Sequence, residues 1–253
     1  MNFAWKRFVT DLFSNKGYVP ALMILGMQFL IFIGIGGFAV AWLLGNGLSF
    51  RMIETDPGQL LTFVPFIIGA FVLALAIGIY SQAAMIGSFV DVVKLGKFQG
   101  FKSFFKNGLR YFWRLVAFSL LMTVLIMVLL IPLGLLFLFG GFMFGSQGPG
   151  MEPAINFVFT VLTYLVIAIS SPLIYIAFYE KQNVWKNYFS FLKKKWLVLL
   201  IVGLIVGILA GIPLIGMIFQ FVFLLPMPLY LLVLYDESKE NYQTEEEEGS
   251  SLV

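Results

Sequence analysis

The chain has 253 residues, of which 60% are hydrophobic and only 11% are charged, and its formal net charge is +3. A soluble domain carries roughly a quarter of charged residues, so this chain cannot cover itself with a polar surface. It contains no cysteine and no histidine, which excludes disulfides, thiolate or imidazole metal sites and a Ser-His-Asp triad. The composition therefore predicts an integral membrane protein.

Five apolar runs along the chain are long enough to cross a membrane, because about 20 helical residues span the hydrocarbon core. The last run is about 40 residues long, enough for two spans, and Gly211-Ile212-Pro213 near its middle predicts a turn. The predicted fold class is therefore all-α integral membrane, with six transmembrane helices. The runs cover residues 18–44, 60–90, 115–144, 155–178 and 196–235.

The positive charges predict the orientation. When the loops are assigned alternately to the two sides, 15 of the 16 Lys and Arg residues fall on one side and only Arg51 falls on the other. Because positive loops stay inside, both termini are predicted to be cytoplasmic in a multi-pass protein of the cell (inner) membrane. The first span follows Lys6 and Arg7, but it is too long for a signal-peptide core and is expected to be retained.

The sequence also predicts an internal repeat. Residues 171–181 read SPLIYIAFYEK and residues 227–237 read MPLYLLVLYDE; in both, proline and apolar residues lead to a tyrosine followed by an acid. Before each odd-numbered span, an aromatic-lysine pair opens a segment with apolar residues at helical spacing. The pairs are Trp5-Lys6, Phe101-Lys102 and Trp185-Lys186.

We therefore predict three parallel pseudo-repeats, each an interfacial amphipathic helix plus a transmembrane hairpin. They form a single polytopic membrane domain, residues 1–240, with repeats at about 1–91, 98–180 and 184–236. Residues 241–253 are polar and acidic, which predicts a disordered cytoplasmic tail.

The amphipathic segments carry the predicted lipid contacts. In the central copy, four cations recur every four residues and are expected to form one basic stripe that faces anionic headgroups. The predicted lipid-interface residues are Trp5, Lys6, Arg7, Lys102, Lys106, Arg110, Arg114, Trp185, Lys186, Lys193, Lys194 and Lys195.

Three acids, Asp91, Glu180 and Asp236, stand where returning spans end. The C-terminus of a helix favours cations over acids, so each acid is expected to pair with a Lys or Arg of an interfacial helix. Such pairs would be structural clasps, worth only about 0–1 kcal/mol each at a wet interface.

A few polar residues remain inside the spans. They either line a substrate path or form hydrogen bonds between helices, and the second interpretation is the commoner one in bundles. The residues are Gln28, Gln82, Ser170, Ser171 and Gln220. Gly34, Gly36 and Gly37 of the first span are predicted to form a close helix contact.

The segment FKSFFKNGLRYFWRLVAFSLL before a span, and the phrase SPLIYIAFYE at the end of one, resemble bacterial multipass membrane proteins. The group includes the membrane domain of glycerophosphoryl diester phosphodiesterases and its uncharacterised relatives. The resemblance covers most of residues 1–240 and implies the topology. It implies no activity, because in the fused members catalysis belongs to a separate soluble domain.

The sequence favours a non-enzymatic accessory or scaffolding subunit that contacts membrane partners or lipid. No span interior carries an ionisable residue, and no phosphate-binding glycine loop is present. We therefore expect no catalytic residue, metal or cofactor, and as partners an anionic lipid bilayer and a membrane protein, with no nucleic acid. The alternative is a permease or lipid-handling transporter for a neutral or amphipathic substrate.

Overall fold

The computed structural model describes residues 2–45, 64–143, 151–212 and 226–250, and every element within these ranges is an α-helix. The helices are α1 (Asn2–Phe13), α2 (Tyr18–Gly45), α3 (Val64–Leu95), α4 (Phe101–Met143), α5 (Met151–Ser170), α6 (Pro172–Tyr179), α7 (Val184–Ala210) and α8 (Met227–Ser250).

Four stretches of these helices are long and apolar enough to cross a membrane, and they overlap the first four predicted spans, although the third begins at Phe101 and not at residue 115. They are Tyr18–Phe38, Ile67–Leu95, Phe101–Val128 and Phe157–Tyr179. The predicted fifth and sixth spans fall partly on residues 213–225, outside the described residues, so six spans stay a prediction. Helix α8 continues to Ser250, through most of the tail for which the composition predicts disorder.

The amphipathic segments differ from the prediction in one respect. Only α1 is a separate helix, ended by a turn at residues 14–17 in which Lys16 has a positive φ of 58°. In α4 and α7 the amphipathic segment continues without a break into the apolar stretch. The physical reason lies in the junctions: Ser-Asn-Lys-Gly follows α1, whereas no proline or turn sequence separates the two parts of α4 or α7.

Close packing is concentrated at one end of the bundle, where residues 81–95, 172–181 and 228–239 meet. We call this end the basal layer. Its largest fully buried side chains include Phe89, Phe178 and Leu232, and the amphipathic segments add Phe104 and Phe191. These helix ends therefore form the core of the described structure.

The other ends of α2 and α3, residues 26–40 and 64–77, are here called the distal halves. Their large apolar side chains are mostly exposed, with Phe32 at 79% and Phe71 at 66%. An apolar groove of about 640 Å³ lies between them, lined on α2 by Leu30, Gly34 and Phe38. In a membrane such a surface faces lipid or another apolar helix.

The helices of the basal layer contact one another in a closed order. The basal ends of α3, α6 and α8 are in mutual contact and form the centre. The amphipathic segments then pack around them, α4 on α3, α7 on α6 and α1 on α8. Each amphipathic segment thus lies against the returning helix that precedes it, and α1, which has none before it, lies against the last.

Candidate functional site

The predicted acid–cation clasp is confirmed at Asp236. Arg7 on α1 donates from Nη2 to Asp236 Oδ2 at 2.5 Å. Arg7 Nε also lies 4.0 Å from Oδ2 of Asp11, a buried carboxylate whose Oδ1 accepts from Asn15 Nδ2 at 2.7 Å. Burial raises the pKa of Asp11, against the lowering effects of the Asn15 hydrogen bond and the Arg7 charge.

The other two acids have different partners from those predicted. Glu180 accepts from Lys239 Nζ at 2.7 Å, and this lysine belongs to α8 and not to an interfacial helix. Asp91 Oδ2 accepts from Asn107 Nδ2 at 2.7 Å and from Ser103 Oγ at 3.3 Å, both on the amphipathic part of α4. The amphipathic segment therefore reaches this acid with neutral donors in place of a cation.

The tyrosine of each repeated phrase donates a hydrogen bond to the acid of the other phrase. The Tyr179 hydroxyl donates to Asp236 Oδ1, and the Tyr235 hydroxyl donates to Glu180 Oε1 at 3.0 Å. The two rings lie 5.3 Å apart, nearly perpendicular. Sequence reasoning found the phrases but not the exchange. Neighbouring residues of a helix face different directions, so a tyrosine beside an acid has to find its acceptor on another segment.

The C-terminal end of α6 is covered by cations. Lys94 Nζ donates to the Tyr179 carbonyl at 2.6 Å and stands 3.9 Å from the centre of the Tyr179 ring. Arg114 Nη2 approaches the Lys181 carbonyl at 3.5 Å. Carbonyls at the C-terminal end of a helix carry partial negative charge, which favours nearby cations. Lys94 and Arg114 supply these cations through contacts with the carbonyls.

Beside this helix end lies a cavity of about 400 Å³, bounded by α3, α4 and the end of α6. Its wall combines four cations, one carboxylate and an aromatic pair, Tyr111 and Phe178, whose rings stack at 4.8 Å. We call it the basic cavity. Its lining residues are Val90, Asp91, Lys94, Arg110, Tyr111, Arg114, Phe178, Tyr179 and Lys181.

The basic cavity divides the predicted basic stripe. Lys102 and Lys106 are exposed and are not part of the cavity wall, whereas Arg110 and Arg114 line it. Residues four apart on an α-helix are displaced by about 40° around its axis, so the stripe turns by about 120° between Lys102 and Arg114. That rotation brings its second half against α3 and α6. Lys94 and Lys181, which sequence reasoning missed, complete the set.

Most of the other predicted lipid-interface residues lie at the surface. Trp5, Lys6, Trp185, Lys186, Lys193 and Lys194 are exposed, and Lys195 is half-buried. Arg7 differs, because its guanidinium binds Asp236 within the protein. The aromatic face of α1 packs on α8 through Phe8 and Tyr230, whose ring centres are 5.6 Å apart.

The predicted polar lining does not converge on one cavity among the described residues. Gln82 is exposed, Ser170 is buried with its hydroxyl on the Val166 carbonyl at 2.6 Å, and Ser171 is half-buried. Gln28 is exposed and lines a mostly apolar groove beside α3. Gln220 lies outside the described residues.

Compared with models of protein families, with curated protein sequences and with solved structures, the chain matches none. The functional proposal below therefore depends on the geometry of this chain and on its sequence.

Proposed function

We propose that this chain is a non-enzymatic accessory or scaffolding protein of the cell (inner) membrane that contacts partner helices and anionic lipid. The observation that carries the proposal is the contrast between its two ends. The basal layer is closely packed and cross-linked by hydrogen bonds, whereas the distal halves present large exposed apolar side chains around a groove of about 640 Å³. A rigid base with an open apolar end is suited to holding another membrane helix.

The proposal includes six spans in three parallel repeats with both termini cytoplasmic. The closed order of contacts supports it, since α4, α7 and α1 each pack on a returning helix in the same way. Equivalent positions also support it: Ser103 and Arg7, each two residues after the opening aromatic, both bind the acid of the helix they cover. The basal layer carries the basic segments and would be the cytoplasmic end. The resemblance to the phosphodiesterase membrane domain is proposed at the level of topology only.

Two observations support a non-enzymatic role. The sequence contains no histidine or cysteine. Among the described residues, no group of three or more Asp and Glu is placed to hold a metal ion. Asp236 and Glu180 of the basal layer are held in structural pairs by Arg7 and Lys239, and a reacting carboxylate would need a free face toward a substrate.

Transport of a neutral or amphipathic substrate is the second candidate. It would need a polar path through the bundle. In the described part of the chain, Ser170 binds the carbonyl of its own helix and Gln82 is exposed outside any shared cavity. This arrangement favours the accessory role over the transporter.

Site-specific photo-crosslinking in native membranes tests the proposal. A photo-reactive phenylalanine analogue at Phe32 or Phe71 is expected to give one protein adduct of the same mass from both positions. The control is the analogue at Trp113, which is 77% exposed on α4 outside the distal halves, and it is expected to give no such adduct. Lipid adducts alone from all three positions would contradict the accessory role. Native mass spectrometry of a lone protein that retains one small molecule would favour the transporter.

A further inference from the structure

The four cations of the basic cavity exceed the negative charge around them. Three of them come from two different helices, Lys94 from α3 and Arg110 and Arg114 from α4, and Lys181 follows α6. The one carboxylate of the wall, Asp91, is already held by two neutral donors. Within the described ranges, no carboxylate lies in ion-pair distance of any of these four cations.

The other acids of the basal layer have their own partners. Asp236 is bound by Arg7 and Tyr179, and Glu180 is bound by Lys239 and Tyr235. Glu180 and Asp236 act on Lys94 from a distance without forming an ion pair with it, so they offset the charge of the cavity only in part. Like charges held close together repel one another, so an anion from outside would stabilise this set of cations.

Support of the fold explains only part of this charge. Lys94 and Arg114 cover the carbonyls of Tyr179 and Lys181, and these contacts use one donor of each side chain. Arg110 makes no hydrogen bond to the described part of the protein; its guanidinium lies 5.3 Å from the ring of its neighbour Tyr111. Two cations, Arg110 and Lys181, thus have donors that face the cavity or solvent.

The remaining wall of the cavity is apolar. Val90, Tyr111, Phe178 and Tyr179 form it, and the rings of Tyr111 and Phe178 stack at 4.8 Å. A site with several cations on one side and stacked rings on the other fits a ligand that is anionic at one end and apolar at the other. Basic pockets between membrane helices on the cytoplasmic side bind phosphorylated headgroups in this way.

We propose that the basic cavity binds the phosphate of a single anionic phospholipid, held by Lys94, Arg110, Arg114 and Lys181. This inference rests on the proposed lipid-contacting function and gives it one defined site. The phosphate oxygens accept from the guanidinium and ammonium groups, and the glycerol and first acyl carbons lie against Tyr111 and Phe178. Guanidinium groups favour phosphate because they offer paired donors in a plane.

The test is binding of a short-chain phosphatidylglycerol to the purified full chain in non-ionic detergent, measured by calorimetry. The cavity variant R110Q/K181Q leaves in place the two cations that cover the end of α6. The matched control K102Q/K106Q removes the same charge from exposed residues of α4 outside the cavity. We expect saturable binding of one lipid, weakened at least about tenfold in the cavity variant, because charge-assisted hydrogen bonds to the phosphate are lost. The control should bind within about twofold of the wild type.

Competition with inorganic phosphate shows whether the phosphate in the cavity belongs to a lipid headgroup or is a free ion. If it does not displace the lipid at millimolar concentration, the ligand is a headgroup held together with its chains. If it displaces the lipid and itself binds less well to R110Q/K181Q, the site takes a free phosphate. Equal weakening in the cavity variant and the control, or the absence of saturable binding, would overturn the proposal. Cross-linking from Phe32 and Phe71 in the same R110Q/K181Q protein tests the accessory role separately from the lipid site. If the partner adduct persists while the lipid no longer binds, the accessory role is retained.

Discussion

Asp11 of α1 and Asn107 of α4 occupy corresponding positions in their amphipathic segments but differ in their hydrogen bonding. Both stand six residues after the aromatic residue that opens an amphipathic segment, Trp5 or Phe101. Asn107 donates a hydrogen bond to the acid that its segment covers. Asp11 cannot donate when ionised, and its buried Oδ2 has no hydrogen-bond partner among the residues that the structure describes. The amphipathic helix α1 therefore buries a carboxylate where the amphipathic segment of α4 buries an amide.

The variant D11N is expected to stabilise the protein above neutral pH. Burial raises the pKa of Asp11, so the folded state favours the protonated form. The wild type is accordingly most stable below the unfolded-state pKa and loses stability as pH rises through the folded-state pKa. D11N removes that loss and should gain up to about 1 kcal/mol at pH 8. Thermal unfolding in detergent between pH 4 and pH 8 measures it.

The reciprocal variant N107D serves as the control. It places a second carboxylate against Asp91, so it should destabilise the protein increasingly as pH rises. A D11N protein that is less stable than the wild type at every pH would show that the Arg7–Asp11 contact outweighs the burial of the charge.

At the scale of single residues, the sequence predicts which groups matter better than it predicts their partners. The acids at the span ends were identified correctly, and one of the three, Asp236, has the predicted kind of partner. Periodicity along one helix cannot reveal a cavity made by three elements. The rotation of the basic stripe follows from helix geometry and was available from the sequence, but Lys94 and Lys181 become its neighbours only through tertiary packing.

At the scale of helices, two glycines of α7 allow it to pack closely against α5. A Cβ at Gly203 would lie 2.9 Å from the Ala168 Cβ, and one at Gly207 would lie 2.9 Å from the Val161 Cα. The four-residue spacing is the small-residue pattern that brings membrane helices together. The predicted contact at Gly34, Gly36 and Gly37 is not formed with any of the described residues, where a Cβ meets nothing within 4 Å. Glycine content alone does not tell a packed face from one that borders a groove.

The double variant G203A/G207A is expected to destabilise the protein by about 1–3 kcal/mol, because the added methyl groups push the backbones of α5 and α7 apart. The matched control G34A/G36A adds the same two methyl groups in open space and should be neutral or slightly stabilising, since alanine favours a helix over glycine. Unfolding temperatures in one detergent measure both. Equal effects of the two pairs would refute the close α5–α7 contact.

At the scale of the whole molecule, hydropathy predicts the spans well because a lipid-exposed backbone must satisfy its hydrogen bonds within the helix. All four apolar stretches found in the described residues overlap predicted spans, with the largest difference in the third, which begins at Phe101. Hydropathy does not reveal that α4 and α7 run through their amphipathic segments without a break, because continuity depends on the absence of a turn and not on polarity. It also does not reveal which end of the bundle is closely packed.

The absence of cysteine makes the topology directly testable. Single cysteines at Ser146 and Ile212 are expected to react with a membrane-impermeant maleimide on intact cells, because both precede returning spans in the six-span topology. Cysteines at Gln99 and Gln182, in the basic loops, should react only after permeabilisation. Labelling of Gln182→Cys on intact cells would reverse the proposed orientation, and protection of Ile212→Cys together with Gln182→Cys would argue against the fifth span.

The bond between Arg7 and Asp236 joins residues 229 positions apart. A ribosome makes α1 early and residues 228–236 much later, so α1 has no face to pack on while the intervening spans are being inserted. Until then α1 lacks both the acid that binds Arg7 and the ring on which Phe8 packs. Docking of α1 is consequently the last step of assembly. It requires that every span between α1 and α8 has been inserted in register. A chain that stalls before α8 is made leaves α1 undocked. Membrane proteases can recognise such an incomplete protein by its undocked helix.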